Sequence, residues 1–305
     1  MKIGKGVLHN GYQFTKVNPM SLTYRSVCHV FVAVSWLVCL GTLGGATSDA
    51  ATVSDEHLVQ EIIKQTGLDR GLCVVLGAKG DLPLDLARES QALVYVRDPD
   101  AAAVAALHKQ ALAAGLPIQR LVVERGACNK LPFADNVVDL VIDNTQDRKD
   151  LKAPSQEEML RALRPEGATV RKDADGTLVT VSKPPPAGVD DWSHWEKAPD
   201  NNPVSDDQII RAPYMTQFLA GPMYIGMPSV TTAAGGRTFL AIGHIAHHRR
   251  EWPSLQRLIA RNGYNGIILW ERKLPKDYLA HRSAFVATKD TFYMVDGRVL
   301  CFSSA

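Results

Sequence analysis

Two glycines and the acids around them are the residues whose spacing could hold a ligand. Gly77, Gly80 and Asp81 follow a short apolar run, Gly71–Leu76, and Asp98 closes a second run, Leu93–Val96, about 20 residues later. A bend without side chains lets a ligand approach the backbone closely. A carboxylate ending the neighbouring strand can accept hydrogen bonds from both hydroxyls of a ribose. Together they would cradle a nucleoside-like molecule. The same glycines would serve a plain turn equally well, and G-x-x-G alone does not separate the two.

Other groupings carry weaker chemistry. His244, His247, His248 and Glu251 are spaced H-x-x-H-H-x-x-E. His244 and His248 can share one side of a helix or strand, but zinc needs a complete tetrahedral set. A basic loop with Arg249 and Arg250 is therefore expected, and no metal site is assigned. His57 and His108 fall in helical patterns as surface or cap residues. Cys73, Cys128 and Cys301, odd in number and widely spread, suggest neither a disulfide framework nor a cysteine metal site. Trp192 and Trp195, set among acids in 190–202, would either line a sugar or quinone site or seal the region that follows.

The elements that position the glycines and acids read clearly. Thr52 to Asp55 has capping-box spacing, and Leu58, Val59, Ile62 and Ile63 mark one helical face up to Gly67. After the two runs comes a helix through Ala114, with Asp98 as its expected cap and Pro99 in its first turn. Ile118–Val123 and Val137–Ile142 read as further strands. Ala168–Arg171 and Thr177–Ser182 flank Asp175-Gly176, a hairpin signal. Strands alternating with helices predict a mostly parallel sheet, with ligands beyond its carboxyl ends.

Several patches resemble the class I S-adenosylmethionine-dependent methyltransferases. They are the glycine bend, the acid ending the second strand, and Gly126-Ala127-Cys128-Asn129-Lys130-Leu131-Pro132-Phe133 ahead of Val137–Val141. The stretch Glu157–Gly167, read as a helix and turn before the fifth strand, completes the set. The resemblance implies a Rossmann-like α/β domain over 52–183. It also implies S-adenosylmethionine held by Gly77, Gly80, Asp81, Asp98 and Cys128, with Asp143 or Asn144 where a substrate would meet the methyl group. Two positions depart from the pattern. Ala127 cannot accept a hydrogen bond where an acid near the adenine is usual, and Lys79 replaces a middle glycine.

Lys183-Pro184-Pro185-Pro186 opens a stiff linker, 184–190. From 191 to 305 helical periodicity fades and strands are expected at Arg237–Ile242, Gly266–Trp270, Ser283–Thr288, Thr291–Val295 and Arg298–Phe302, an antiparallel meander. Ala260–Glu271, with Asn265-Gly266 and Trp270, resembles the blade turn of pyrroloquinoline-quinone-like propeller repeats. That implies an all-β, partial propeller-like region with Trp270 as a packing residue. Its length is short of the four or more blades of a closed propeller, so the resemblance does not extend to a bound quinone.

The chain has 305 residues, 46% of them hydrophobic, with 34 basic and 32 acidic groups. Four of the basic ones, Lys2, Lys5, Lys16 and Arg25, precede the first acid, Asp49. The remainder is slightly acidic, which offers nucleic acid no charge argument. The basic residues lead into the apolar run Val27–Leu43 and then Gly44-Gly45-Ala46, the order of a secretion signal over 1–46. The alternative is an uncleaved membrane anchor. Export to the periplasm or another extracytoplasmic space is expected, with membrane contact through this leader only. The expected function is that of an exported protein with a degenerate methyltransferase-like domain and a propeller module that binds a protein or carbohydrate partner. An active methyltransferase and a fragment of a quinoprotein-type oxidoreductase are the alternatives.

Overall fold

The computed structural model describes residues 52–305 apart from 147, 174, 214, 224, 225, 277 and 305. The proposed secretion signal lies outside the described residues. Among the described residues no helix is long and apolar enough to cross a membrane. The described residues form one compact unit.

The α/β part begins with α1 (Thr52–Thr66), whose Val59 and Ile62 are buried. It continues through β1 (Leu72–Leu76), α2 (Leu82–Glu89), β2 (Leu93–Asp98), α3 (Ala101–Ala113), β3 (Leu121–Arg125) and β4 (Val138–Asp143). Then follow α4 (Gln156–Ala162), β5 (Leu163–Lys172) and β6 (Leu178–Ser182). Every residue of β1 and of β4 is buried, as expected for strands covered on both faces. The strand order is β3-β2-β1-β4-β5-β6, parallel except for β6 against β5. This is a Rossmann-like sheet. The order reverses between β1 and β4, so the crevice for a ligand lies beyond their carboxyl ends.

Three local expectations need correction. The cap of α3 is Asp100, whose side chain accepts the Ala102 amide at 2.8 Å, because Asp98 is drawn inward at the end of β2. The third strand starts at Leu121, later than expected, with Ile118 left 68% exposed in the preceding turn. The segment read as a helix and turn up to Gly167 is already strand from Leu163. Pro165 has no amide to continue a helix, and a side chain at Gly167 would meet the Asp139 carbonyl at 2.9 Å.

The remainder is all β. A four-stranded antiparallel sheet, ordered β10-β9-β8-β7, is built from β7 (Met227–Ala234), β8 (Arg237–Ile245), β9 (Arg257–Asn262) and β10 (Ile268–Lys273). A second sheet holds β11 (Phe285–Ala287), β12 (Thr291–Asp296) and β13 (Arg298–Ser303). Phe239 stacks on Phe292 with ring centroids 4.9 Å apart, and Trp270 packs against Phe239, Phe292 and Phe302. Trp270 is thus part of the aromatic core between sheets. β7 and β9 were not anticipated: the first is rich in small and polar residues, and only three residues, Leu258, Ile259 and Ala260, give the second an apolar centre.

Candidate functional site

The bend after β1 is shaped by its neighbours in the chain. Gly77 has φ +94° and donates its amide to the Arg97 carbonyl at 2.9 Å, and a Cβ there would stand 3.0 Å from the Asn144 carbonyl. Close packing of β1 against the end of β4 already requires glycine. Gly80 also has positive φ, and Asp81 occupies the N-cap of α2 without a side-chain capping bond.

Asp98 shows no exposed surface. Its Oδ2 accepts the Ala78 amide at 2.8 Å, its Oδ1 accepts the Asp100 amide at 2.8 Å, and Arg148 Nη1 approaches Oδ2 at 3.4 Å. A carboxylate offers about four lone-pair positions, so most are taken by the chain itself. Arg148 is anchored on its far side by Asp150, with contacts of 2.9 and 2.7 Å. That guanidinium holds the Asp150 carboxyl down at about 2. Cys128, also buried, donates its thiol to the Arg97 carbonyl at 3.2 Å. Burial first, and then the charge of Asp98, push the thiol up to about 11, so it packs as a neutral group.

Asp143 and Asn144 lie where open space begins. A cavity of about 450 Å³ beyond β4 and β5 is lined by both, with Leu58, Ile62, Ile142 and Val170 among its apolar walls. A smaller one, about 160 Å³, is lined by Lys79, Gly80, Asn144 and Arg148. Gly77, Asp98 and Cys128 line neither cavity. The Asp143 carboxylate is itself engaged. Its Oδ1 accepts the Thr145 hydroxyl at 2.6 Å and amide at 3.1 Å, and its Oδ2 accepts Gln146 Nε2 at 2.9 Å. Asn144 Nδ2 donates to the Lys79 carbonyl at 3.1 Å.

No protein-family profile matches the chain, and no curated protein does. Solved structures similar to it include a protein described as an S-adenosyl-L-methionine-dependent methyltransferase from Methanococcus maripaludis, at 20% identity and a TM-score of 0.35, over 43% of this chain and 67% of that one. A SAM-dependent methyltransferase from Aquifex aeolicus matches at 22% identity and 0.32, over 37% and 62%. Geranyl diphosphate C-methyltransferase from Streptomyces coelicolor A3(2) matches at 16% and 0.34, over 38% and 45%. The matched part spans two thirds or less of these proteins. It is the strand order that makes the α/β sheet Rossmann-like.

Sequence reasoning missed two residues. Arg148 sits in a loop with no motif, and nothing in its spacing announces its contact with Asp98. Asp139 offers a better signal, an acid inside the apolar run Val137–Ile142. It accepts the Leu72 amide, Asn262 Nδ2 and Asn265 Nδ2, each at 2.8 Å, and also binds the Arg164 guanidinium. Asn262 ends β9 and Asn265 lies in the Asn-Gly turn before β10. The turn that carried the propeller resemblance is thereby hydrogen-bonded to β4 of the α/β sheet.

The remaining groups have structural partners. His108 Nε2 bonds the Val123 carbonyl at 3.0 Å, tying α3 to β3. Glu251 accepts the His247 amide at 2.8 Å, and this bond with the loop's amides lowers its carboxyl pKa. His244, His247 and His248 are exposed around that loop. Trp192 pairs through its backbone with Ala233 of β7, covering the edge of the sheet.

Proposed function

We propose that this chain is an extracytoplasmic protein-interaction module in which a methyltransferase-type sheet serves as scaffold. The observation that carries the reading is the Asp98 carboxylate, wholly buried and bonded to the Ala78 amide, the Asp100 amide and Arg148. These are the acceptor positions a ribose would need. Most of the acceptor capacity of Asp98 is therefore used within the chain, and no catalytic step is assigned through S-adenosylmethionine. The leader over 1–46 supports export. The four-stranded antiparallel meander β7–β10 supports a first propeller-type blade.

The partner would engage the side chains that the connection before β7 leaves in solvent. Ile209, Ile210, Met215, Leu219 and Met223 are between 51% and 88% exposed. Apolar surface of this kind suits a protein better than a sugar, which is bound chiefly through hydrogen bonds and aromatic faces. A second reading, methyl transfer, is favoured by the cavity that Asp143 and Asn144 line.

Calorimetric titration of the intact chain with S-adenosylmethionine and S-adenosylhomocysteine separates the two. The scaffold reading predicts no saturable heat for the wild type. Saturable micromolar binding by the wild type would overturn the scaffold reading, and methyl transfer to an added acceptor would establish the second.

A further inference from the structure

A cavity of about 320 Å³ lies at the amino ends of the parallel strands, the opposite end from Asp98. Three guanidinium groups from separate elements line it: Arg70 just before β1, Arg164 at the start of β5, and Arg237 at the start of β8. Asp139, Asn262 and Trp270 complete the walls that matter here.

Two carboxylates, Asp69 and Asp139, share the lining with the three guanidiniums, so the excess is one positive charge: Asp139 is paired with Arg164, and Asp69 is exposed and forms no ion pair with Arg70 or Arg237 among the described residues. The Asp139 carboxylate is taken up by Leu72, Arg164, Asn262 and Asn265. Arg70 reaches only the Ile268 carbonyl, at 3.5 Å, and Arg237 only the carbonyls of Gly235 and Lys289, at 3.4 and 3.3 Å. Neither has an ion pair among the described residues. Glu166, the acid with most influence on Arg237, is bound to Lys289 at 2.6 Å. Burial, and then the charge of Arg164, lower the Arg237 pKa, while Glu166 and Asp290 oppose the shift. Trp270 Nε1 is buried without a hydrogen-bond partner.

Adjacent like charges with unused donors cost energy that an anion would offset. Guanidinium forks match the geometry of phosphate oxygens. We propose that this cavity binds a phosphate group through Arg70, Arg164 and Arg237. Its volume leaves room for a small organic carrier lying against Leu269 and Trp270. The site is independent of the Asp98 corner and of any methyl transfer.

The test is calorimetry and thermal melting of the intact chain with inorganic phosphate and with glycerol 3-phosphate, at constant ionic strength with chloride as reference. Phosphate should give a saturable heat and raise the melting temperature, and chloride should do neither. Arg70→Gln and Arg237→Gln should each weaken binding at least tenfold while their melting temperatures without phosphate stay at or above the wild-type value. Tighter binding of either compound upholds the site and tells free phosphate from a phosphomonoester. Absence of heat and of thermal shift in the wild type overturns the proposal, as does wild-type affinity for phosphate in both variants.

Discussion

Asp98 at the end of β2 and Arg148 in the loop after β4 stand 3.4 Å apart, nitrogen to oxygen, with the carboxylate out of contact with solvent. The acid joins three segments, the glycine bend, the turn into α3 and the loop after β4. It works as a strut whether or not a ligand is present.

Asp98→Ala should therefore lower stability in urea melts by about 3 kcal/mol, the range for breaking a buried charge pair and stranding the amides it served. A ligand-binding acid exposed in a pocket would leave stability nearly unchanged when removed.

Gly77→Ala should cost about 2 kcal/mol or more, because a side chain is strained at φ +94° and would press on the Asn144 carbonyl. Chemical denaturation checks this. The effect should not depend on added nucleoside, since the glycine serves the packing of β1 against the end of β4.

Asp139→Asn should loosen the antiparallel sheets from the α/β sheet. The amide presents hydrogens toward the Leu72 amide and the side chains of Asn262 and Asn265, all of them donors here. A loss of about 2–4 kcal/mol is expected, together with faster proteolytic cleavage in the connection at 203–226. Asn265→Ala, which removes one bond to the acid, should cost less, about 1 kcal/mol.

Glu158 is one of several carboxyls, Asp150 among them, that contribute to the pH dependence on the acid side. The Arg161 guanidinium, and after it the Leu131 amide, hold the Glu158 carboxyl down at about 2, against burial. A group lowered on folding adds stability above its unfolded pKa of about 4.3, and that stability is lost as pH falls toward 2. Melting curves between pH 5 and 2 should show a steep acid limb, and Glu158→Gln should flatten it while lowering stability at pH 7 by about 1–2 kcal/mol.

The sequence made the alternation of strands and helices legible because β1, β2 and β4 are apolar runs bounded by glycine, proline and acids. The β5–β6 hairpin was legible from Asp175-Gly176. β7 escaped because it is held by pairing with β8 instead of by an apolar pattern of its own. Glycine and acid were correctly located at one rim of the sheet, but their purpose was not written in their spacing. It depends on Arg148, about 50 residues beyond Asp98 and recognisable only once the loop after β4 is folded. Asp139 was missed although it carried a signal, an acid between apolar neighbours in a strand whose every residue is buried.

Arg148 and Asp98 satisfy each other. A double-mutant cycle with Asp98→Asn and Arg148→Met, followed by urea denaturation, measures that directly. A coupling of about 1–3 kcal/mol is expected, with the wild type indifferent to S-adenosylhomocysteine. Additive losses, with stabilisation of the wild type by S-adenosylhomocysteine, would contradict it.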